Sequence, residues 1–260
     1  MKRRIAGLRV LITGASSGIG RALAAELAHR GASVLVSARR EERLRILADD
    51  IAKGGGRIEF VAGDLTDEGV RNRLVETAKD HFGGLDVLVN NAGVGAMGKF
   101  EHSDPRRIRE VMELNFFTLL DMTRLALPLL RHGTTPMIVN VSSILGLRGT
   151  PYGGGYSASK FAVEGFSQSL RAELTPYNID VLVVSPGTTR TEFFDSVLEK
   201  KGEPAWPSHA PVSAEYVAAA TVRAMEKGKH AIIPYFWGKV LVWLNRLSPR
   251  LVDGLMSRYV

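Results

Sequence analysis

The chain has 260 residues, of which 45% are hydrophobic and 23% charged, with no cysteine and a formal net charge of +7. This is the composition of a folded globular protein rather than a disordered one, and the length suits one α/β domain. The absence of cysteine excludes disulfides and thiolate metal sites and is consistent with a reducing compartment. The positive charge would attract any polyanion, from nucleic acid to anionic lipid or a phosphorylated cofactor, and does not choose among them.

Hydropathy along the chain gives no sign of a signal peptide or a membrane span. The basic residues of the first seven positions lead into an apolar run, 8–13, that is too short for a signal peptide and soon meets glycine. No apolar run reaches the roughly 20 residues that a membrane-spanning helix needs. We expect a cytoplasmic protein, with peripheral membrane attachment as the alternative.

Seven short apolar runs alternate with helical patterns along the chain. They predict strands at 9–13, 33–37, 57–62, 86–90, 137–141, 180–185 and 231–234. Strands rich in Val, Ile and Leu with helices between them are typical of a parallel sheet covered on both faces, the doubly wound α/β architecture. In such sheets ligands bind beyond the carboxyl ends of the strands, and the polar motifs of this chain follow its strands.

A glycine-rich turn follows the first predicted strand and opens a helical pattern. Its sequence is Gly14-Ala15-Ser16-Ser17-Gly18-Ile19-Gly20. Glycine allows a pyrophosphate to approach the backbone amides and the N-terminus of the next helix, so the turn is predicted to bind a dinucleotide. The spacing is G-x-x-x-G-x-G and not the commoner G-x-G-x-x-G, and a turn that only permits tight packing is the alternative.

Tyr156 and Lys160 lie four residues apart in a helical pattern, which places them on one face of a helix. A nearby ammonium group stabilises a phenolate, so the pair is predicted to transfer a proton near neutral pH. One reaction that uses such a proton donor is the reduction of a carbonyl. That reaction also needs a group that holds the carbonyl oxygen, and the hydroxyl of Ser143 is the candidate. Taken singly, each residue has an ordinary structural explanation, and the interpretation depends on their joint occurrence.

Five motifs occur together in one order along residues 7 to 234. They are Thr13 to Gly20, Asn90-Asn91-Ala92-Gly93, Ser143, Tyr156-Ser157-Ala158-Ser159-Lys160 and Pro186-Gly187. With this order and spacing the chain resembles the short-chain dehydrogenase/reductase family. The resemblance implies a Rossmann-like doubly wound fold in one domain, 1–234, and hydride transfer between a nicotinamide dinucleotide and a CH–OH group.

The resemblance also implies roles for individual residues. The proposed catalytic tetrad is Asn115, Ser143, Tyr156 and Lys160, in which Asn115 holds a water in a proton relay and Lys160 also binds the nicotinamide ribose. The other implied cofactor contacts are Gly14, Ser16, Ser17, Gly18, Ile19 and Gly20 at the turn, Asp64 and Leu65 at the adenine, Asn91, Ala92 and Gly93 after the fourth predicted strand, Tyr156 itself, and Pro186, Gly187 and Thr191 at the nicotinamide. A helix cap with Thr66 is the alternative for Asp64, and Asn90 is interpreted as structural support.

The residues after the second predicted strand are expected to select the dinucleotide. An acidic side chain there would bind the ribose 2′-hydroxyl, whereas arginine accepts a 2′-phosphate. The chain has Ala38 at the acidic position, followed by Arg39 and Arg40, so NADP is expected with NAD as the alternative. Arg39 and Arg40 as ordinary solvated charges are the competing interpretation.

The last segment, 235–260, is predicted to be an amphipathic apolar extension. Its apolar stripe consists of residues 237, 240, 241, 244, 247, 251 and 255, with basic residues outside the stripe. We expect this stripe to be buried against the domain, in a subunit contact or over the substrate pocket. A membrane surface is the alternative. The polar segment that follows Thr191 and runs to His209 is predicted to form a mobile substrate lid.

The sequence therefore predicts an NADP-dependent oxidoreductase that interconverts a secondary alcohol and a ketone or aldehyde on a lipophilic small molecule. The main alternative is a non-catalytic NADP(H)-binding redox sensor or a membrane-peripheral binding protein. A nucleic-acid partner is not expected because no recognised module is present, and no metal is expected because the six histidines lack ligand spacing. The helices within 105–130 and 156–174 resemble the pair that builds homodimers and homotetramers in the family.

Overall fold

A parallel sheet of seven strands forms the centre of the protein. The computed structural model describes residues 3–195, 197–201 and 210–260, without the side chains at 194, 195, 201 and 259. The strands are β1 (Arg9–Thr13), β2 (Ser33–Ala38), β3 (Arg57–Ala62), β4 (Val87–Asn90), β5 (Met137–Val141), β6 (Asp180–Val184) and β7 (Ala231–Ile232). They lie in the order β3-β2-β1-β4-β5-β6-β7, and every neighbouring pair is parallel. The predicted doubly wound sheet is confirmed, with strand bounds that differ from the prediction by two residues at most.

Helices cover both faces of this sheet. They are α1 (Gly18–His29), α2 (Glu41–Lys53), α3 (Glu68–Phe82), α4 (Pro105–Met112), α5 (Thr118–Leu130), α6 (Gly154–Glu173), α7 (Ala214–Glu226), α8 (Phe236–Leu247) and α9 (Pro249–Met256). Side-chain caps define several of their starts, because the first backbone amides of a helix need an acceptor. The carboxylate of Asp67 accepts from the amide of Gly69 at 2.8 Å at the start of α3, and the hydroxyl of Ser213 accepts from Tyr216 at 3.1 Å at the start of α7.

Alternate residues of each strand supply two separate apolar cores, since successive side chains of a strand point to opposite faces. Val10 and Ile12 belong to the core that packs under α1, α2 and α7. Leu11, between them, belongs to the core under α3, α5 and α6. All three residues are fully buried, and each contributes about 2 kcal/mol from removal of apolar surface from water.

The strand order reverses beside β1, which has β2 on one side and β4 on the other. The connections from these strands leave toward opposite faces of the sheet, so a crevice opens beyond their carboxyl ends. The glycine turn follows β1, and the Asn90 to Gly93 motif begins at the end of β4. The topology therefore brings the first two predicted motifs to one crevice.

A π-helical turn, Glu113–Phe117, joins α4 to α5 within the segment predicted as continuous helix. Turns of this kind are rare and occur frequently at functional sites. The turn places the side chain of Asn115 inside the protein, where it is 1% exposed.

The C-terminal segment forms two helices because Ser248 and Pro249 interrupt the helical pattern. The hydroxyl of Ser248 accepts from the amide of Leu251 at 3.4 Å and starts the second helix, α9. The residues buried against the rest of the chain are Gly238, Val242, Val252 and Met256. None of these belongs to the predicted apolar stripe.

The expected burial of that stripe within the chain is therefore wrong. Trp237, Leu247, Leu251 and Leu255 are 43–64% exposed, and the other three members of the stripe are half-buried. Gly238 allows α8 to approach the loop after β5, because a Cβ there would lie 2.7 Å from a methyl group of Ile144. Along the described ranges, no helix has both the length and the apolar character needed to cross a bilayer.

Candidate active site

The glycine turn is tied to the segment after β4 by four hydrogen bonds. The hydroxyl of Thr13 accepts from the amides of Asn91 at 3.0 Å and Ala92 at 3.1 Å. The side-chain amide of Asn91 donates to the carbonyls of Thr13 at 2.9 Å and Gly14 at 3.1 Å. A Cβ at Gly14, where φ is +72°, would lie 2.8 Å from the Cα of Ala92, so no side chain fits there. The side chain of Asn91, which was predicted to contact the cofactor, thus braces the turn.

The N-terminus of α1 is suited to an anion. Ser17 is its N-cap residue but makes no side-chain capping bond, and the first turn, which contains Ile19 and Gly20, carries no acidic residue. The exposed amides at such a helix end attract a phosphate group. The turn and the helix therefore fit the pyrophosphate of a dinucleotide.

Arg40 makes contacts that the sequence did not reveal. Its guanidinium donates to the hydroxyls of Ser16 at 2.9 Å and Ser17 at 2.8 Å, and to the carboxylate of Glu192 at 2.8 Å. Glu192 also accepts from Arg43 at 2.6 Å, and the two arginines lower the pKa of its carboxyl. Arg40 was predicted to bind the cofactor directly, and in the structure it links the glycine turn to the segment after β6.

Arg39 lies exposed at the end of β2, close enough to the segment after β3 to act on Asp64. Burial raises the pKa of Asp64, but hydrogen bonds from Thr66 and the charge of Arg39 outweigh it and lower the pKa below its ordinary value. The carboxylate of Asp64 accepts from the amide and hydroxyl of Thr66 at 2.9 and 2.8 Å. The local turn with Thr66 is therefore present, while α3 is capped by Asp67. The carbonyl of Leu65 accepts from Arg71 at 2.6 Å.

The predicted catalytic residues Ser143, Tyr156 and Lys160 lie together at the carboxyl end of β5. The hydroxyl of Ser143 accepts from the amide of Leu145 at 3.1 Å and lies close enough to the hydroxyl of Tyr156 to act on its pKa. The ammonium group of Lys160 donates to the carbonyl of Val141 at 2.9 Å and lies 5.8 Å from the centroid of the Tyr156 ring. Residues from β5, the following turn and α6 thus converge on one point.

Burial controls the protonation of Tyr156 and Lys160. Desolvation raises the pKa of Tyr156 to about 12, against the opposing effect of the Ser143 hydroxyl. Desolvation also lowers the pKa of Lys160 to about 8, against the opposing charge of Glu164. The expected shift of the tyrosine toward neutral pH is therefore not produced by the protein side chains alone. At pH 7 the tyrosine is a neutral acid beside a mostly charged lysine.

Asn115 connects the segment after β4 to α6. Its side-chain oxygen accepts from the amide of Val94 at 2.8 Å, and its side-chain nitrogen donates to the carbonyl of Val94 at 2.9 Å and the hydroxyl of Ser159 at 3.0 Å. A Cβ at Gly93 would lie 3.0 Å from the oxygen of Asn115 and 3.5 Å from the nitrogen of Lys160. Gly93, Asn115 and Lys160 are therefore neighbours, as the family resemblance implies.

The segment after β6 closes the site from the opposite side. Thr191 lies against the turn, since a Cβ at Gly18 would be 3.0 Å from its methyl group. Two residues later, the ring of Phe193 packs against Tyr156 with centroids 5.4 Å apart. Phe193 was not predicted as a site residue. An aromatic side chain in an otherwise polar segment was its only sequence signal.

The C-terminal helices brace the two loops that carry Ser143 and Pro186-Gly187. The ring of Tyr235, which precedes α8, lies so close to Gly187 that a Cβ there would be 2.0 Å from it. Arg148, in the loop after Ser143, donates to the side chain of Asn245 at 3.0 Å and pairs with Asp253. The extension thus supports the active-site loops, a role that its amphipathic pattern did not reveal.

Part of the predicted lid lies outside the described residues, namely position 196 and residues 202–209, which include His209. Within the described part of the lid, Lys200–Lys201 pairs with Met97–Gly98. The segments on either side of the lid, Thr189–Arg190 and Val212–Ser213, pair with each other. Within the described ranges, no group of three or more His, Asp or Glu side chains is placed to hold a metal ion.

Comparison with known proteins agrees with this geometry. Residues 9–202 match the family model for short chain dehydrogenases. The chain is 36% identical over 260 residues to an 11-beta-hydroxysteroid dehydrogenase-like protein, 4A, of Arabidopsis thaliana, covering 98% of this chain and 85% of that protein. It is 37% identical over 187 residues to a 3-ketodihydrosphingosine reductase of Bacteroides thetaiotaomicron, covering 72% of this chain and 66% of that protein.

A solved structure shares the fold over nearly the whole chain. A short chain dehydrogenase/reductase from Burkholderia phymatum, crystallised in complex with NAD, superposes with a TM-score of 0.87 at 25% identity, and the match covers 96% of each chain. The chain belongs to the short-chain dehydrogenase/reductase family and is an oxidoreductase that acts on CH–OH groups.

Proposed function

We propose that the protein is an NADP-dependent oxidoreductase that interconverts a secondary alcohol and a ketone or aldehyde on a lipophilic small molecule. The observation that carries the proposal is the convergence of three groups. The hydroxyl of Ser143 lies close enough to that of Tyr156 to lower its pKa, and the ammonium group of Lys160 lies 5.8 Å from the centroid of the Tyr156 ring. A dinucleotide-binding protein without catalytic activity has no need of this arrangement.

The residues have distinct roles in carbonyl reduction. A bound nicotinamide dinucleotide would supply the hydride. The hydroxyl of Ser143 holds the carbonyl oxygen, and Tyr156 donates its phenolic proton to that oxygen as negative charge develops there. The neutral form that burial enforces on Tyr156 is the form that donates. In the oxidation direction the tyrosine must accept a proton, which requires positive charge from Lys160 and the oxidised nicotinamide.

The same site offers a place for each part of the cofactor. The pyrophosphate would lie against the glycine turn and the start of α1, the adenine beside Asp64, and the nicotinamide between Gly187, Thr191 and Lys160. Asn115 would hold the relay water in addition to bracing Val94. Arg39 supports NADP because it is exposed, carries a fixed charge and has no acidic side chain before it at Ala38. Arg40 would support the 2′-phosphate through Ser16 and Ser17.

Two observations support a lipophilic substrate. An apolar side chain lies beside the reacting residues, since the ring of Phe193 packs on Tyr156. The two similar curated proteins are, by name, a hydroxysteroid dehydrogenase-like protein and a ketodihydrosphingosine reductase, and steroids and sphingoid bases are both lipids.

Replacement of Tyr156 by Phe should abolish turnover without abolishing cofactor binding, because the ring remains while the proton donor is lost. We expect kcat/KM to fall by about 10²- to 10⁴-fold. The assay measures the loss of NADPH absorbance with a panel of apolar ketones. Tyr152→Phe, four residues earlier, is the matched control and should retain activity within about twofold. A wild-type protein that binds NADPH but reduces no carbonyl would support the non-catalytic sensor instead.

Replacement of Arg39 by Ala should weaken the binding of NADPH but not that of NADH, because only NADPH carries the 2′-phosphate. A charge-assisted hydrogen bond contributes about 1.5–3 kcal/mol, so we expect the Kd for NADPH to rise about 10- to 100-fold and that for NADH to stay unchanged. Fluorescence titration measures both constants. Arg45→Ala, on the exposed face of α2, is the control. Equal losses for the two cofactors would show that Arg39 does not select between them.

We also propose that the C-terminal helices attach the protein to a membrane surface. Phe236, Trp237, Trp243 and Leu247 are 48–68% exposed on α8, and Leu251 and Leu255 continue the apolar surface on α9. Lys239, Arg246, Arg250 and Arg258 are exposed on the same two helices and the turn after them. Aromatic and leucine side chains flanked by basic residues are typical of helices that lie in the interface of an anionic bilayer.

Substitution of Trp237, Trp243 and Leu247 by Ser should reduce binding to vesicles of phosphatidylglycerol and phosphatidylcholine at least tenfold, because three apolar groups no longer enter the interface. Co-sedimentation measures the bound fraction. Phe100→Ser removes a more exposed aromatic residue elsewhere, 84% exposed, and should have no effect. Equal binding of wild type and the triple variant would refute the attachment.

A homodimer or homotetramer built on the π-helical turn and α6 is supported by their exposed surface. Phe117 and Phe161 are 47% and 45% exposed there. Large apolar side chains on adjacent helices mark protein interfaces more often than free surface. Light scattering at micromolar concentration should give at least twice the chain mass, and Phe117→Glu with Phe161→Glu should reduce it to one chain mass.

A further inference from the structure

Glu164 is a buried acidic residue to which neither the family motifs nor the proposed reaction gives a role. It lies on α6 one helical turn after Lys160 and two turns after Tyr156, so the three side chains share a helix face. It is only 8% exposed. Acidic side chains are almost never buried without a partner, because transfer of a charge out of water is costly.

The partners of Glu164 come from two strand ends of the active site. Its carboxylate accepts from the hydroxyl of Ser185 at 2.7 Å, and the hydroxyl of Ser142 lies close enough to act on its pKa. Ser142 precedes Ser143, and Ser185 precedes Pro186-Gly187. The hydroxyl of Ser142 also lies 3.3 Å from the carbonyl of Lys160. The carboxylate thus bonds α6 to the loop of Pro186, and the carbonyl of Lys160 on the same helix bonds to the loop of Ser143.

Charge gives Glu164 a second connection to the site. The ammonium group of Lys160 donates to the carbonyl of Val141. The negative charge of Glu164 acts on that ammonium group through space and raises the pKa of Lys160, whereas burial lowers it. Burial raises the pKa of Glu164, and the charges of Arg171 and Lys160, both on α6, oppose that effect. In the described part of the chain, the groups near the pair from neighbouring elements include the uncharged hydroxyls of Ser142 and Ser185 and the amide of Asn115.

We propose that Glu164 is a positioning residue whose buried charge, one helical turn from Lys160, acts on that ammonium group, and whose bond to Ser185 holds the loop of Pro186 against α6. Lys160 is buried, and without a nearby negative charge its ammonium group would lose its proton at a lower pH. This inference depends on the proposed function in one respect: the charge of Lys160 has a catalytic role only if the protein carries out the proposed reaction. The coupling between the two charges is a property of the protein itself.

The test is an NMR titration of the whole protein labelled with ¹³C-lysine, with the Lys160 resonance assigned through Lys160→Met. Glu164→Gln retains the shape and an oxygen that accepts from Ser185, but removes the charge. We expect the Lys160 midpoint, near pH 8 in the wild type, to fall by about one pH unit or more. Ser185→Ala, which removes a hydrogen bond but leaves the charge, should move the midpoint by less than half that shift.

A residue with a merely structural role would give a different result. Glu164→Gln would then lower the thermal midpoint while Lys160 titrated as in the wild type, and that outcome would overturn the proposal. If Glu164→Gln does not fold, the wild type labelled with ¹³C-glutamate provides the second measurement. The carboxyl resonance of Glu164 should show an inflection at the pH where Lys160 loses its proton, and its absence would equally refute the coupling.

Activity then separates this inference from the proposed function. With an active wild type, the alkaline limb of the kcat/KM profile should move to lower pH in Glu164→Gln by the same shift as the NMR midpoint. An NMR shift in a protein that reduces no carbonyl would support the inference while refuting the proposed function. An active enzyme whose Lys160 midpoint does not change in Glu164→Gln would support the proposed function and refute this inference.

Discussion

The cofactor crevice depends on the close contact between the turn after β1 and the segment after β4. The hydroxyl of Thr13 accepts from two amides of that segment, and Asn91 returns two hydrogen bonds to the turn. These groups lie where the strand order reverses, which is the place where a parallel sheet leaves room for a ligand. The contact fixes the position of α1, whose uncapped N-terminus is available to an anion, and of Gly93 beside Asn115 and Lys160.

Desolvation is the second constraint on the site, and it acts on two groups in opposite directions. It disfavours the phenolate of Tyr156 and the ammonium of Lys160, so both residues tend toward their neutral forms. The proton donor is thereby kept protonated, whereas the lysine needs help to remain charged. The charge of Glu164, on the same face of α6, acts on Lys160 in the opposite direction to burial.

The sequence predicted the groups that depend on local spacing more accurately than those that depend on contacts across the chain. Tyr156 and Lys160 share a face because a helix repeats every 3.6 residues, and this required no knowledge of the fold. The link from Arg40 to Glu192 joins residues 152 positions apart, and that from Arg148 to Asn245 joins residues 97 positions apart. No periodicity encodes such pairs, so Glu192, Arg43 and Phe193 were missed as parts of the site.

The C-terminal helices show the same limit in their packing. Their amphipathic pattern predicted one apolar stripe, but the face that packs is the one with Gly238 and Val242, because close approach to Ile144 and Tyr235 requires small side chains. The larger apolar residues remain on the outside. Hydrophobicity alone does not determine which side of such a helix meets the domain.

By itself, the sequence determined the alternating strands and helices, the glycine turn and the order of the catalytic motifs, since each is fixed by local backbone preference or residue spacing. Only the tertiary structure decided the protonation of Tyr156 and Lys160, the links made by Arg40 and Glu164, and the exposed face of the C-terminal helices. These properties arise from burial and from contacts between residues distant in the chain, and both exist only when the elements are packed together.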